Sequence, residues 1–303
     1  MEQIIENNIG FLKSIVPNKF IIPNNKLCNQ ITKNIVGIGE IDLTVSSKGC
    51  KKEVITTVKL NYGSEEIQIY NKTYKFTAYD RVVHNAVCSL YQSENNEFTA
   101  AMCYRSMNGL KNNEKVSPQA VSLVTKSLDK LSRIRCKIDW TQEARSRAIN
   151  IQNAIVEGNI LATIKIIVTT GGKMTEAYKL LDKPILYRYA QETKQVITIP
   201  IALLQTKQFI KNTEDVIVIR EYLIRRIETL KNNNKQSNKI LYISIFIELG
   251  LKISIKDQAF ADKTKKVRRS VREIISCWKK QNYIKDFAEY KEGKTYKGIA
   301  IFY

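Results

Sequence analysis

The sequence predicts an α+β chain built mainly from two similar units in tandem, each a set of helices closed by a β-hairpin, with a strand-containing extension in front. Three observations carry this prediction. Apolar residues recur at helical spacing in three successive segments, and this happens twice along the chain. Each set is followed by runs rich in Val, Ile and Thr, broken by glycine turns. The chain has 303 residues, and single cores stop growing at about 250–300 residues, which favours two domains.

The extension covers residues 1–70. Residues 1–30 carry Pro17, Pro23 and many asparagines, which reads as a loosely packed arm with one short helix. Strands follow in VGIGEIDLTVSS, KEVITTVKL and EEIQIY, with turns at Gly49 and at Asn61-Tyr62-Gly63.

The first unit covers 71–210. Thr77 is placed as an N-cap with Asp80 three residues on, a loose capping box. Val83, Ala86, Val87, Leu90 and Tyr91 share the face that follows. A second helix is capped by Thr99 and stopped by Gly109. Ser117-Pro118 opens a third, with cap and N1 proline in the preferred order. Its apolar face is Val121, Val124, Leu128 and Leu131; its other face carries Gln119, Ser122, Thr125, Lys126, Lys130 and Arg133. Then come a strand (RIRCKIDW), a basic helical segment (TQEARSRAINIQ), a β-ribbon around Gly171-Gly172 and a closing strand in KPILYRYAQETKQVITIP. The insertion around 141–182 is strand-rich.

The second unit covers 211–303. Thr213 caps a helix through Leu230, and ILYISIFIELGL reads as a buried helix ending at Gly250. AFADKTKKVRRSVREIISCWKKQNY is a long basic helix, and YIKDFAEY with KGIAIFY forms a hairpin about a KEGKTY turn. Three helices followed by a β-ribbon is the pattern of a winged helix, a variant of helix-turn-helix.

Charge points to the partner. Lys and Arg number 49 against 29 Asp and Glu, a net +20. Such an excess favours a polyanion, nucleic acid before an anionic membrane surface, over a merely solvated basic surface. No apolar run reaches the ~18–20 residues of a membrane-spanning helix, so no membrane partner is expected. The opening MEQIIENNIGFLK lacks the basic start of a secretory leader, and the expected location is cytoplasmic. The six cysteines (Cys28, Cys50, Cys88, Cys103, Cys136 and Cys277) fall in no CxxC pair, which predicts reduced, buried thiols.

The candidate DNA contacts lie in four places. In the long helix, Lys263, Lys265, Lys266, Arg268, Arg269, Arg272, Lys279 and Lys280 oppose only Asp262 and Glu273, while Val267, Val271, Ile274, Ile275 and Trp278 face the core. Lysines there would neutralise phosphates, and arginines can also read guanine edges. In the helix 117–133, Ser117, Gln119, Ser122, Thr125, Lys126 and Lys130 suit base-edge and phosphate contacts. Arg145 and Arg147 are placed beside a hairpin, as a phosphate clamp or as a merely basic loop. Lys173, at the Gly171-Gly172 turn, is a candidate wing tip for the minor groove, with Lys294, Lys291 and Lys297 as counterparts in the second hairpin. Simple hairpin turns would explain the same residues.

Enzymatic signatures are missing. There is one histidine, His84, a poor lone metal ligand and more simply a helix packing residue. No GxxxxGK[ST] or GxSxG occurs, and the acids are dispersed. No catalytic residue, metal or cofactor is expected.

The segments YKFTAYDRVVHNAVCSLYQSENNEFTAAMCYRSMNG (74–109), KPILYRYAQETKQVITIPIALL (183–204), REYLIRRIETLKNN (220–233), NKILYISIFIELGL (238–251) and NYIKDFAEYKEGKTYKGIAIFY, in this order, resemble plasmid replication initiator proteins with tandem winged helices, which bind repeated origin sequences called iterons. The resemblance covers roughly residues 70–303. It implies a non-catalytic initiator of a plasmid or other mobile element, which binds direct repeats beside an AT-rich origin in double-stranded DNA and helps to open it. It further implies a homodimer formed through the first winged helix and contact with a host replication helicase or its loader. By position, the base-reading helices of that family fall on 117–133 and 262–280. Residues 1–70 match nothing in it, and the insertion exceeds a minimal winged helix. A transcriptional regulator using the same two units is a second reading; a relaxase, primase or recombinase is a third, and its nucleophile and carboxylate clusters are absent.

Overall fold

The computed structural model describes residues 16–32, 39–46, 53–61, 76–147, 150–170, 173–232, 238–251 and 258–303. The chain is α+β, with open antiparallel sheets and no barrel among these residues. None of the described helices is long and apolar enough to cross a membrane.

The strands expected in 31–72 are present as β2 (Gly39–Ser46) and β3 (Glu53–Asn61). The EEIQIY strand and the Gly49 turn lie outside the described residues, as do Tyr62 and Gly63 of the second turn. Residues 19–31 are no loose arm. β1 (Lys19–Pro23) pairs antiparallel with β9 (Val196–Pro200), and α1 (Lys26–Gln30) follows it. Phe20, Ile22 and Leu27 are fully buried, and the Ile21 N–H donates to Ser89 Oγ at 2.8 Å.

The helical heart of the first unit follows its caps. α2 (Ala78–Gln92) begins at a complete capping box: the Asp80 N–H donates to Thr77 Oγ1 and the Thr77 N–H to Asp80 Oδ2. It is buried nearly all round. After β4 (Glu97–Phe98), α3 (Ala100–Asn108) ends at Gly109, whose φ of 61° is left-handed. A Cβ there would also stand 2.6 Å from the Ile201 carbonyl oxygen, so both backbone and space require glycine. α4 (Pro118–Leu131) starts on the Ser117 cap. β7 (Thr163–Thr170) and β8 (Lys173–Leu180) form a hairpin, and β4 adds to β8, giving the order β4-β8-β7.

The second unit repeats this order. α7 (Glu214–Lys231) is followed by β10 (Lys239–Leu241), α8 (Tyr242–Glu248), α9 (Gln258–Lys280) and the hairpin of β11 (Asp286–Glu292) and β12 (Thr295–Phe302). Again the short strand pairs with the second hairpin strand, as β10-β12-β11. At Gly298, β12 approaches β10 so closely that a Cβ would meet the Ile240 carbonyl oxygen. The segment expected as one buried helix, ILYISIFIELGL, is instead a strand and a short helix. Ile243 and Ile247 on α8 are exposed, so it is amphipathic.

The insertion and the extension form one structure. β5 (Arg135–Asp139) and β6 (Ile155–Asn159), linked through α5 (Thr141–Ser146), extend β2 and β3 into an antiparallel sheet of order β2-β3-β5-β6. Val58, Leu60, Cys136 and Ile138 turn its inner face to the core. In KPILYRYAQETKQVITIP the first half is α6 (Ile185–Glu192) and only the second half is strand.

One apolar core runs from β1 through α2 and α7 to α9. Within it lies a buried ionic network. Arg225 Nε donates to both Glu221 oxygens at 2.9 Å, and its Nη2 to Glu248 Oε1 at 2.6 Å. Arg81, on α2, stands 3.2 Å from Glu221 and donates to the carbonyls of Pro23 and Cys28. Asn29 of α1 accepts from both arginines. The network thus joins the N-terminal arm to α2, α7 and α8.

His84 is buried on α2. Burial holds its pKa down at about 4; a hydrogen bond with Asn85 raises it and the Arg81 charge lowers it, both less strongly. The ring is therefore neutral in the folded chain at pH 7, whereas in the unfolded chain it titrates near ~6.5. As pH falls from about 6.5 through 4, the unfolded state takes up a proton that the native state refuses, and stability is lost. The loss amounts to about 2–3 kcal/mol at pH 4.5. Urea unfolding of the wild type and His84→Gln at pH 7 and 4.5 checks this: the wild type should lose that much more than the variant.

Candidate nucleic-acid interface

α9 is an amphipathic helix pinned along one side. Val267, Val271, Ile274, Ile275 and Trp278 are buried, and the Trp278 indole N–H donates to the Leu203 carbonyl at 2.8 Å. This fixes which side chains reach solvent. Lys265 and Arg269 are each 71% exposed, with only loose contacts to Asp262 (3.5 Å) and Glu273 (3.6 Å). Lys266 is exposed too, and Arg272 is half-exposed, 3.6 Å from Glu289. These four form a cationic strip able to meet phosphates and base edges.

The remaining basic residues of α9 are engaged elsewhere. The Arg268 guanidinium lies 3.8 Å from the centre of the Tyr296 ring and donates to Glu289 at 3.2 Å. Glu289 also accepts the Tyr242 hydroxyl at 2.5 Å. Arg268 therefore fastens the hairpin and α8 to α9. Lys263 pairs with Asp215 at the start of α7. Lys279 binds Asp286 at 2.8 Å, and Lys280 lies over the Phe209 ring.

On α4 the outward face is Gln119, Ser122, Leu123 and Lys126, all exposed. The Ser117 hydroxyl is used as the cap, accepting from the Ala120 N–H at 3.3 Å. Thr125 is half-buried beside Tyr178. Lys130 pairs with Asp80, which also accepts from Ser127 Oγ at 2.7 Å. This carboxylate, already part of the α2 cap, thereby ties α4 to α2.

Arg145 and Arg147 are held by the insertion. Arg145 donates to the carbonyls of Ile151 and Gln152. Arg147 Nη2 lies 2.5 Å from Glu143, a buried carboxylate that also accepts from Tyr189 Oη and Thr56 Oγ1. Neither arginine is a free clamp. Lys173 is the first residue of β8, while Gly171 and Gly172 lie outside the described residues. Lys294 is exposed in the second hairpin turn, next to Gly293 with its φ of 58°. Lys291 lies over Tyr296, and Lys297 pairs with Glu292.

The structure sets α4 and α9, more than 120 residues apart in the chain, on the two flanks of one connecting segment, residues 206–213. A groove between that segment and α4 is lined by Lys115, Gln119, Leu123, Lys207 and Lys211. A second, between it and α9, is lined by Phe209, Lys211, Lys263, Lys266 and Arg269. The connecting lysines are absent from the sequence expectations, although Lys207 and Lys211 around Phe209 form a visible basic pair.

Among the described residues no group of three or more His, Cys, Asp and Glu side chains is placed to hold a metal ion. The described cysteines are buried and unbridged; Cys50 lies outside them. Burial pushes the Cys28 thiol up to about 11 and holds Cys88, Cys103 and Cys136 well above the ordinary range.

No family profile matches the chain, and no curated protein matches it. Two crystal structures of domains 2 and 3 of RctB show a distant similarity to the chain. One, of a selenomethionine derivative, is 14% identical, with a TM-score of 0.43 over 86% of this chain and 90% of that one. The other is 11% identical, with a TM-score of 0.42 over 87% and 90%. At these values nothing about ligand or activity passes from those domains to this chain.

Proposed function

We propose that this chain is a sequence-specific double-stranded-DNA-binding protein in which two winged helices present α4 and α9 to the major groove. The observation that carries this reading is the repeated element order, in which each unit turns a polar or basic face of its third helix to solvent. In that architecture the third helix is the one that enters the groove. The net charge of +20 supplies the sequence-independent attraction.

The role we assign is initiation of replication on a plasmid or integrative element, through repeated origin sites, without catalysis. What supports this finer step is the resemblance of the ordered motifs to the iteron-binding initiators. A homodimer through the first unit and a host helicase or loader belong to the same reading.

Selection of bound sequences from random duplex DNA, followed by footprinting, tests it. The expected result is direct repeats, protected over half-sites about 10–10.5 bp apart on one face. A single inverted repeat would favour the regulator. Protection of one turn alone would mean that only one unit docks. Nicking of supercoiled DNA would favour an enzyme.

A further inference from the structure

The segment that joins the two units is a fixed structure. The Arg220 guanidinium donates to Thr206 Oγ1 at 2.8 Å and to Asn212 Oδ1 at 3.2 Å, near the two ends of the segment. Its other nitrogen donates to the Met107 carbonyl at 2.8 Å and Asn108 Oδ1 at 2.7 Å. Arg220 is buried, and burial lowers its pKa to about 10, so it stays charged at pH 7 and the anchor holds. The N–H groups of Phe209 and Ile210 close a turn on the Thr206 carbonyl.

Between the anchors, Lys207, Phe209 and Lys211 are exposed. Lys207 reaches Glu114 only at 3.4 Å, across an open surface. Of the lysines lining the two grooves, Lys263 has a close carboxylate partner in Asp215. Lys115, Lys211 and Lys266 have none within 4.0 Å among the described residues. The row of Lys115, Lys207, Lys211 and Lys266, all but Lys207 without a carboxylate partner among the described residues, runs from one candidate reading helix across the connector to the other and is complementary to a chain of phosphates.

We infer that residues 206–213 form a phosphate-binding bridge, with Lys207 and Lys211 holding the DNA backbone that passes between the grooves occupied by α4 and α9. The inference rests on the DNA-binding reading above and extends it to a site outside both helices. If the helices sit in successive major grooves, a stretch of sugar-phosphate backbone has to cross whatever joins them. Phosphodiester backbone fits the connector better than an unstacked base. The one aromatic ring there, Phe209, has Lys280 over one face at 4.7 Å, and a single ring is less than the series of rings on which successive bases stack.

The test compares the wild type, Lys207→Ala/Lys211→Ala, and Lys265→Ala/Lys266→Ala/Arg269→Ala on the selected duplex across a salt series. Both lysines of the bridge lie on the surface, so the fold should be kept, and circular dichroism checks it. The bridge variant should bind about 10-fold or more weakly at moderate salt. Its salt slope should shrink by about 1.8, since each phosphate contact contributes about 0.9. Its ranking of mutated sites should equal that of the wild type. Ethylating the phosphates midway between the half-sites should block the wild type and leave the variant indifferent. Wild-type affinity and slope in the bridge variant, alongside loss in the helix variant, would overturn the bridge and leave the DNA reading standing. Absence of duplex binding by the wild type would overturn both. An affinity loss confined to single-stranded DNA would also overturn the duplex bridge.

Discussion

Exchanging Lys265, Lys266 and Arg269 for glutamate should abolish duplex binding while leaving the unfolding transition close to that of the wild type. The three side chains stand on the solvent side of α9; Lys265 and Arg269 make only loose ion pairs and Lys266 makes none among the described residues. Pairs of that kind are worth at most about 1 kcal/mol to folding. For binding the consequence is large. If α9 meets DNA as proposed, three cations become three anions facing it, and the loss of three phosphate contacts would take about 2.7 from the salt slope. Arg268 separates the two kinds of role within one helix. Arg268→Ala takes the guanidinium from above Tyr296 and leaves the half-buried Glu289 with the Tyr242 hydroxyl and only the more distant Arg272 charge, so its effect should appear in stability. Fluorescence anisotropy with thermal melts distinguishes the two. Binding by the triple glutamate variant within about 3-fold of wild type would remove α9 from the interface.

The second large effect concerns the buried network. Glu221→Gln should cost about 3–5 kcal/mol of folding stability, the range for breaking a buried pair from one side. Burial opposes the Arg225 charge, but Glu221 and then Glu248 more than offset it, and its pKa is raised. Burial and then the Arg225 charge work to lower the pKa of Arg81, against the attraction of Glu221. Without Glu221 both guanidiniums remain buried, with Glu248 as the main carboxylate left. Because Asn29 bridges the two arginines, protease sensitivity near residues 19–31 should rise together with the loss of stability. Guanidinium unfolding that shifts by less than about 1 kcal/mol would show that the network is not coupled in this way.

Local chemistry made much of the fold legible. Thr77, Thr99, Ser117 and Thr213 are caps in the structure, because a cap needs only its own next few residues. The apolar stripe of α9 was equally plain. What sequence alone could not supply was non-local. KFIIP pairs with VITIP across most of the chain, and nothing within either pentapeptide names the other. α6 carries no side-chain cap and begins after Pro184 amid Ile and Tyr, so it looks like strand. Within the candidate site, the basic run 263–272 revealed charge but not its uses. Arg268 lies beside Val271 and Ile275 on the helix wheel, which puts it at the edge of the buried stripe. The carboxylates that engage Lys130 and Lys263, Asp80 and Asp215, come from other helices.

The pairing of β1 with β9 also sets a timetable for synthesis. Lys19 lies opposite Pro200, so the partner strand leaves the ribosome about 180 residues later. At about 5–20 residues per second, that interval is on the order of ten to thirty seconds. Until then Phe20 and Ile22 have no sheet to join, and α2 lacks one wall of its packing. The first unit therefore completes its fold only when its last strand emerges, shortly before the connector and the second unit follow.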